Sequence, residues 1–311
     1  MRKQYGGEVA AALALDALVG EPPEPVHPTV WMGRAISVFE RRAVGLKTSY
    51  ARRLAGIVLA AAFPALVYLS ARTLLGLTPR PLRPALGAAL ISTTLSMRGL
   101  AEAAVAVERG LRVGDIERAR VEVGDMVGRD TERLAASEVT RAAVESVAEN
   151  TSDGVVAPML YGLLLGAPGA LAYKTINTLD SMVGYRKGPY EELGWASARL
   201  DDLANLVPAR ATALGVAAVS GRPIPTLVTA RRYGPLTSSP NAGWTEAAFA
   251  GALGLRLGGS NAYGGVIREG PVLGCGHSPR PEDIRGAVGL MRRCCVLLAG
   301  VVVLIGAPRR G

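Results

Sequence analysis

The sequence predicts an all-α fold, a polytopic helical membrane protein with a broken, re-entrant helix pair and amphipathic helices packed on one membrane face. Three observations carry this. The 311 residues are 49% hydrophobic and 20% charged, and the mean hydropathy is +0.25. Aromatics make up only 5%, so the apolar content is mostly Ala, Leu and Val. Several apolar runs are long enough for a hydrocarbon core of ~30 Å. Length alone would allow two soluble domains. Positive hydropathy argues instead for one membrane-embedded helical domain over 1–311. The net charge of +9 is carried by arginine, with lysine only at Lys3, Lys47, Lys174 and Lys187. No nucleic-acid-binding module is readable, so nucleic acid is not an expected partner. Arginine beside apolar runs fits the positive-inside rule.

Taken in order, residues 8–19 are apolar except for Glu8 and Asp16, behind Arg2 and Lys3. Asp16 in mid-run, followed by E-P-P-E-P without a small-residue cleavage site, argues for a retained short helix rather than a signal peptide. His27, flanked by Pro, is read in a loop feeding a helix from Trp31 to Arg42. It is a candidate substrate contact or a structural hydrogen-bonding group. Leu54–Leu77 is the clearest spanning run, and Ala85–Met97 is a shorter one. Residues 98–144 alternate charge with Val, Leu and Ala at helical spacing and predict a water-exposed amphipathic segment. Asp115, after Gly114, is an N-cap candidate. G-R-D-T (128–131) is a polar turn in which Arg129 and Asp130 form a pair or help build a site.

The densest polar chemistry lies between Glu145 and Asn205. Glu145 and Glu149 are four apart and share a helical face, where like charges repel unless a cation lies between them. N-T-S-D-G is read as ending that helix, which places Asn150 and Asp153 just beyond it. Carboxylates without adjacent arginines would suit Mg²⁺; a solvated helix end is the plainer alternative. Val155–Tyr173 could span a bilayer, but G-A-P-G (166–169) interrupts it. The expectation is therefore two half-helices of ~10 residues and ~15 Å each, turning at G-A-P-G. That turn returns Lys174 to the side of Asp153. Beyond it, Asn177 and Asp180 share a face. Arg199, Asp201, Asp202 and Asn205 follow in R-L-D-D-L-A-N. Carboxylates from separate segments, with a lysine and an arginine nearby, match what a Mg–nucleotide or Mg–diphosphate site needs. No P-loop motif occurs.

Leu203–Ser220 is expected to return to the membrane. Residues 221–285 form a Gly/Pro-rich extramembrane segment with an amphipathic helix near Trp244–Leu257. S-S-P-N-A-G (238–243) could present Asn241 and backbone N–H groups to an anion, or act as a plain cap. Ala287–Ala307 is the last spanning run, with Arg309 and Arg310 beyond it. Cys275 and His277 in C-G-H are read as incidental. Cys294 and Cys295 are read as small lipid- or core-facing residues.

Assembled, these motifs resemble the CobD/CbiB family of cobalamin-biosynthesis proteins from about Asp16 to Leu290. The resemblance is carried by D-A-L-V-G-E-P with H-P-T-V-W-M-G-R, by G-R-D-T, and by V-E-S-V-A-E-N-T-S-D-G-V-V-A-P. G-A-P-G-A-L-A-Y-K-T-I-N-T-L-D-S-M-V-G-Y, G-W-A-S-A-R-L-D-D-L-A-N-L-V-P-A-R and S-P-N-A-G-W continue it. It implies a multi-pass inner-membrane enzyme with its active face in the cytoplasm, beside other membrane enzymes of cobalamin assembly. The implied reaction joins (R)-1-amino-2-propanol or its O-phosphate to adenosylcobyric acid, using ATP and Mg²⁺. In this reading Asp180, Asp201 and Asp202 hold the metal, and Lys174 and Arg199 bind phosphate. Asn177, Asn150, Asn241 and His27 assist binding, and one of Glu145, Glu149 or Asp153 takes the ammonium proton. Two other classes use the same residues differently. A Mg–diphosphate prenyl-type transferase would need no ATP, and an AmpE-like signalling modulator would use the polar stretch as an interaction surface.

Overall fold

The structure, a computed structural model, describes residues 5–185 and 187–306. Arg2, Lys3, Arg309 and Arg310, which flank the terminal apolar runs, lie outside the described residues. Within them the chain is mostly helical, with almost no sheet. The helices are α1 (Gly6–Val19), α2 (Pro28–Val44), α3 (Ser49–Leu77), α4 (Arg83–Ser92), α5 (Met97–Arg112), α6 (Ile116–Gly124), α7 (Ala136–Thr151), α8 (Ala157–Val183), α9 (Tyr190–Leu193), α10 (Trp195–Ala204), α11 (Leu206–Val219), α12 (Pro223–Tyr233), α13 (Ala242–Leu253) and α14 (Pro281–Gly306). Two antiparallel ribbons interrupt them: β1 (Leu257–Gly258) pairs with β4 (Val272–Leu273), and β2 (Asn261–Tyr263) with β3 (Val266–Arg268). Four helical runs are long and apolar enough to cross a membrane: Ser49–Leu77, Arg80–Arg112, Ala136–Val183 and Pro281–Leu304. On α3 the residues Leu54, Ile57, Val58, Leu66, Leu69 and Leu74 are all exposed. An exposed apolar face of that length is what a lipid-facing helix requires.

The chain divides into two compact units. One comprises 1–96, 157–205 and 299–311; the other comprises 97–156 and 206–298. In the first unit α8 packs against α2, α3, α4 and α10. Its core joins Ile36, Leu59, Leu179 and Val183, with Phe39 and Phe63 against them. In the second unit α13 packs against α7, α11 and α12. Small residues let these helices approach closely. A Cβ on Gly251 would lie 2.9 Å from Thr226 Cα of α12. The near-complete burial of α13 corrects the expectation of an amphipathic helix at Trp244–Leu257. Its Ala and Gly faces are all core faces.

The expected break in α8 is present. Gly166 has φ +70° and ψ −167°, a conformation nearly restricted to glycine. Twelve residues of unbroken helix rise about 18 Å. Yet the rings of Tyr161 and Tyr173, twelve apart, stack with centroids 5.0 Å apart at an interplanar angle of 12°. The chain therefore doubles back at G-A-P-G. Both tyrosines then reach α10 and its cap: Tyr161 Oη donates to Ala204 O (3.1 Å), and Tyr173 Oη to Asn205 Oδ1 (2.7 Å). A Cβ at position 166 would also lie 2.9 Å from the Tyr5 ring. Gly166→Ala is expected to destabilise the fold by about 1–3 kcal/mol. A thermal midpoint several degrees lower in detergent would show it, and an unchanged midpoint would contradict the role given to Gly166.

Two boundaries differ from the sequence reading. Helix α2 begins at Pro28, not Trp31, because Pro at the first helical position has no N–H to satisfy. N-T-S-D-G does not end a helix: Ser152–Val156 form a π-helical turn. Asn, Thr, Ser, Asp and Gly read as stop residues, but no proline enforces a stop. π turns are frequent at functional sites.

Candidate active site

In the first unit the structure brings together Asn177, Asp180, Asp201 and Asn205. The fold-back of α8 presents Asn177 and Asp180, and the short helix α10 presents Asp201. Asn205 Nδ2 donates to Asp201 Oδ2 at 3.0 Å, and Asn177 Nδ2 lies 3.5 Å from Asp201 Oδ1. Burial raises the Asp201 carboxyl to about 7, with Asp180 and then Asp202 pushing the same way and the two amides pulling against them. Two carboxylates thus crowd one another in a partly desolvated place. Asp202 pairs with Arg199 at 3.5 Å. Arg199 is exposed in that pair and Asp202 is half-buried, and at that distance the pair is weakly held. Lys174 lies one helical turn before Asn177 and is half-buried.

The donor set is all oxygen, which suits a hard cation such as Mg²⁺. Among the described residues no three His, Cys, Asp or Glu side chains form a ready metal cage. The residues still fit Mg²⁺. It usually takes one or two carboxylates and completes its shell with water and substrate phosphates.

In the second unit Glu145 is buried and occupied. Arg141 Nη1 donates to its Oε1 at 3.0 Å, Arg129 pairs with Oε2, and Gly258 N donates to Oε1 at 2.7 Å. This corrects the expectation of carboxylates without adjacent arginines. Both Glu145 oxygens are thus engaged, and the carboxylate ties α7 to Arg129 and to the Gly258 backbone. Arg141 also donates to Glu138, Ser260 O and Asn261 Oδ1, and Arg129 to Asn261 Oδ1. Arg129 and Asp130 thus serve different partners. Asp130 accepts the Gly264 and Gly265 N–H groups of the β2–β3 turn, which lower its pKa. Glu149 is exposed and Asp153 is half-buried.

Three expected contacts have other employment. His27 caps α2 through Nδ1, accepting from Thr29 N, and its Nε2 lies 3.2 Å from Glu21. Asn150 donates back to Ser146 within its own helix. Asn241 Oδ1 accepts from Arg210 at 2.6 Å, while Ser239 Oγ takes the N–H groups of Asn241 and Ala242. That loop therefore does not offer those two N–H groups to an anion.

One residue escaped the sequence reading. Glu246 on α13 is partly buried. Its pKa is raised well above the usual carboxylate value, first by desolvation and then by Glu145 and Glu149, against Arg129 and Arg141. The signal was present: Glu246 is the only acid between Asp202 and Glu269, in a helix otherwise of small and apolar residues. Because the folded pKa is raised, its favourable contribution is full below the ordinary value of 4.5 and is lost as pH rises through the folded pKa. Glu246→Gln is therefore expected to melt above the unsubstituted protein at pH 8, with the difference vanishing near pH 4. A pH-independent difference would contradict the burial of its charge.

A protein family described as "CobD/Cbib protein" matches residues 9–291. A Rhodobacter capsulatus protein called "Cobalamin biosynthesis protein CobD" is 38% identical over 313 residues, 97% of this chain and 96% of the relative. Proteins with the same name from Chromobacterium violaceum and Geobacter metallireducens are 43% and 44% identical. These matches cover 95% and 97% of this chain and 96% and 98% of the relatives. No solved structure matches.

Proposed function

The chain belongs to the CobD/CbiB family of cobalamin biosynthesis, and on that premise we propose that it is an amide-forming ligase of the adenosylcobinamide-phosphate synthase type. It condenses adenosylcobyric acid with (R)-1-amino-2-propanol or its O-phosphate, with ATP as co-substrate. The observation that carries this reading is the Asp180–Asp201 pair with Asn177 and Asn205 around it. An all-oxygen, crowded, partly buried donor set is suited to Mg²⁺ carrying a nucleotide.

A carboxylate is a poor acyl donor until its oxygen becomes a leaving group. Transfer of the γ-phosphoryl of ATP to the corrinoid carboxylate gives an acyl phosphate and ADP. Attack by the neutral amine then forms the amide C–N bond, breaks the acyl C–O bond, and releases phosphate and one proton. Bound Mg²⁺ supplies charge neutralisation on the phosphate oxygens. Asp180, Asp201 and Asp202 would hold it. Lys174 and Arg199 neutralise the remaining phosphate charge. The ammonium proton passes to water before the attack. ATP places the active face in the cytoplasm, which puts the protein in the cell membrane facing inward.

The test is ATP consumption by purified membranes. Consumption and amide product that require both adenosylcobyric acid and an amino-alcohol support the reading, and comparing the free amine with its O-phosphate identifies the acceptor. Turnover without ATP, or none with either amine, overturns it.

A further inference from the structure

Away from the acidic groups, one surface of the second unit combines exposed hydrocarbon with unpaired positive charge. A shallow groove of about 570 Å³ is lined by Val219, at the end of α11, and by Arg292, Arg293, Val296 and Leu297 of α14. Both arginines are exposed. Among the described residues neither has an ion pair or hydrogen bond. Val296 and Leu297 are exposed as well, at 64% and 39%.

The positions explain the pattern. Arg292 and Val296 are four apart, as are Arg293 and Leu297, so each arginine stacks on the same face as an apolar residue. Helical side chains lean toward the N-terminus. The guanidiniums therefore lean away from the hydrocarbon that follows. From Cys294 to Ala307 the sequence has no charged residue, and the thirteen residues up to 306 rise about 20 Å. The arginines thus stand at the start of the charge-free part of α14, and their long side chains can snorkel from there toward headgroups. A guanidinium that reaches that depth is attracted to anionic headgroups. Two adjacent ones present a fork to phosphate oxygens. No acidic residue lines the groove, so nothing in it would receive the ammonium of a zwitterionic headgroup.

We propose that this groove binds an anionic phospholipid, with Arg292 and Arg293 on its phosphate and an acyl chain along Val219, Val296 and Leu297. Native mass spectrometry of the full-length protein in mild detergent tests it, with phosphatidylglycerol, phosphatidylcholine and inorganic phosphate as probes. Phosphatidylglycerol is expected to be retained in preference to phosphatidylcholine. R292Q/R293Q should weaken its retention on the order of tenfold, and R292K/R293K should keep much of the preference because the charges remain. Leu297→Asn should weaken phosphatidylglycerol with both arginines intact. A thermal melt confirms that each variant is folded, and the single variants R292Q and R293Q replace the double if it is not. Equal retention of the two lipids, undiminished retention by the folded arginine variants, or displacement of the lipid by inorganic phosphate would each overturn the proposal; the last would mark a soluble phosphate as the ligand.

Discussion

Replacing Asp201 by Asn is expected to lower ATP-dependent amide formation at least about a hundredfold without lowering thermal stability. The two halves of that result come from one cause. Asp201 is crowded by Asp180 and Asp202 and partly desolvated, so its carboxyl titrates near 7. A carboxylate so placed is unfavourable to the empty fold and useful to a cation. Its favourable contribution is full below the ordinary 3.8 and is lost as pH rises through about 7. In metal-free buffer at pH 8 the Asn variant should therefore melt at or above the unsubstituted protein, and the two should converge near pH 4. Adding Mg²⁺ should raise the melting temperature of the unsubstituted protein by mass action and leave the variant unmoved. Asn205 can turn its amide to suit an Asn neighbour, so lost folding should not mask the result. Full activity in the variant would remove Asp201 from the metal site. Lost activity with an intact Mg²⁺-dependent shift would make it a substrate contact instead.

The parts of this molecule that were legible in the sequence are those written in local chemistry. Long apolar runs gave the spanning helices. G-A-P-G gave the fold-back of α8, because Gly166 adopts a conformation other residues avoid. Asp115 capped α6 as its place after Gly114 suggested, accepting from Arg118 N at 3.0 Å. D-D-x-x-N gave the Asp201–Asn205 contact, since residues four apart share a helical face. What escaped was tertiary. Arg129 meets Asn261 across 132 residues of chain, and no local pattern announces that. The ribbons are two or three residues long, too short for an alternating pattern to register. The Arg141–Glu145 pair is a different lesson. Its i,i+4 spacing is local, and the cation one turn before Glu145 offsets the Glu145–Glu149 repulsion.

Arg141→Ala is expected to be the most destabilising single change in the second unit, at about 3–5 kcal/mol. Arg141 is 4% exposed. It donates to Glu138, Glu145, Ser260 O and Asn261 Oδ1, tying α7 to the segment entering β2. Truncation leaves Glu145, itself buried, with Arg129 and Gly258 N alone, and strips donors from the Ser260 carbonyl and the Asn261 amide. An uncompensated buried charge costs more than a lost surface pair because water cannot take the partner's place. A loss of that size corresponds to a thermal midpoint lower by on the order of 10 °C. Arg141→Lys keeps the charge but cannot fork between Glu138 and Glu145, so it should fall between the two. The decisive measurement is a double-mutant cycle with Glu145→Gln. If the arginine acts through Glu145, the two losses will be less than additive, because Glu145→Gln removes the charge that Arg141→Ala would strand. Exposed-site proteolysis between 258 and 268 should quicken in both single variants, since Arg141 and Glu145 each anchor that segment. Full additivity would mean that Arg141 holds the β2 segment independently of the carboxylate.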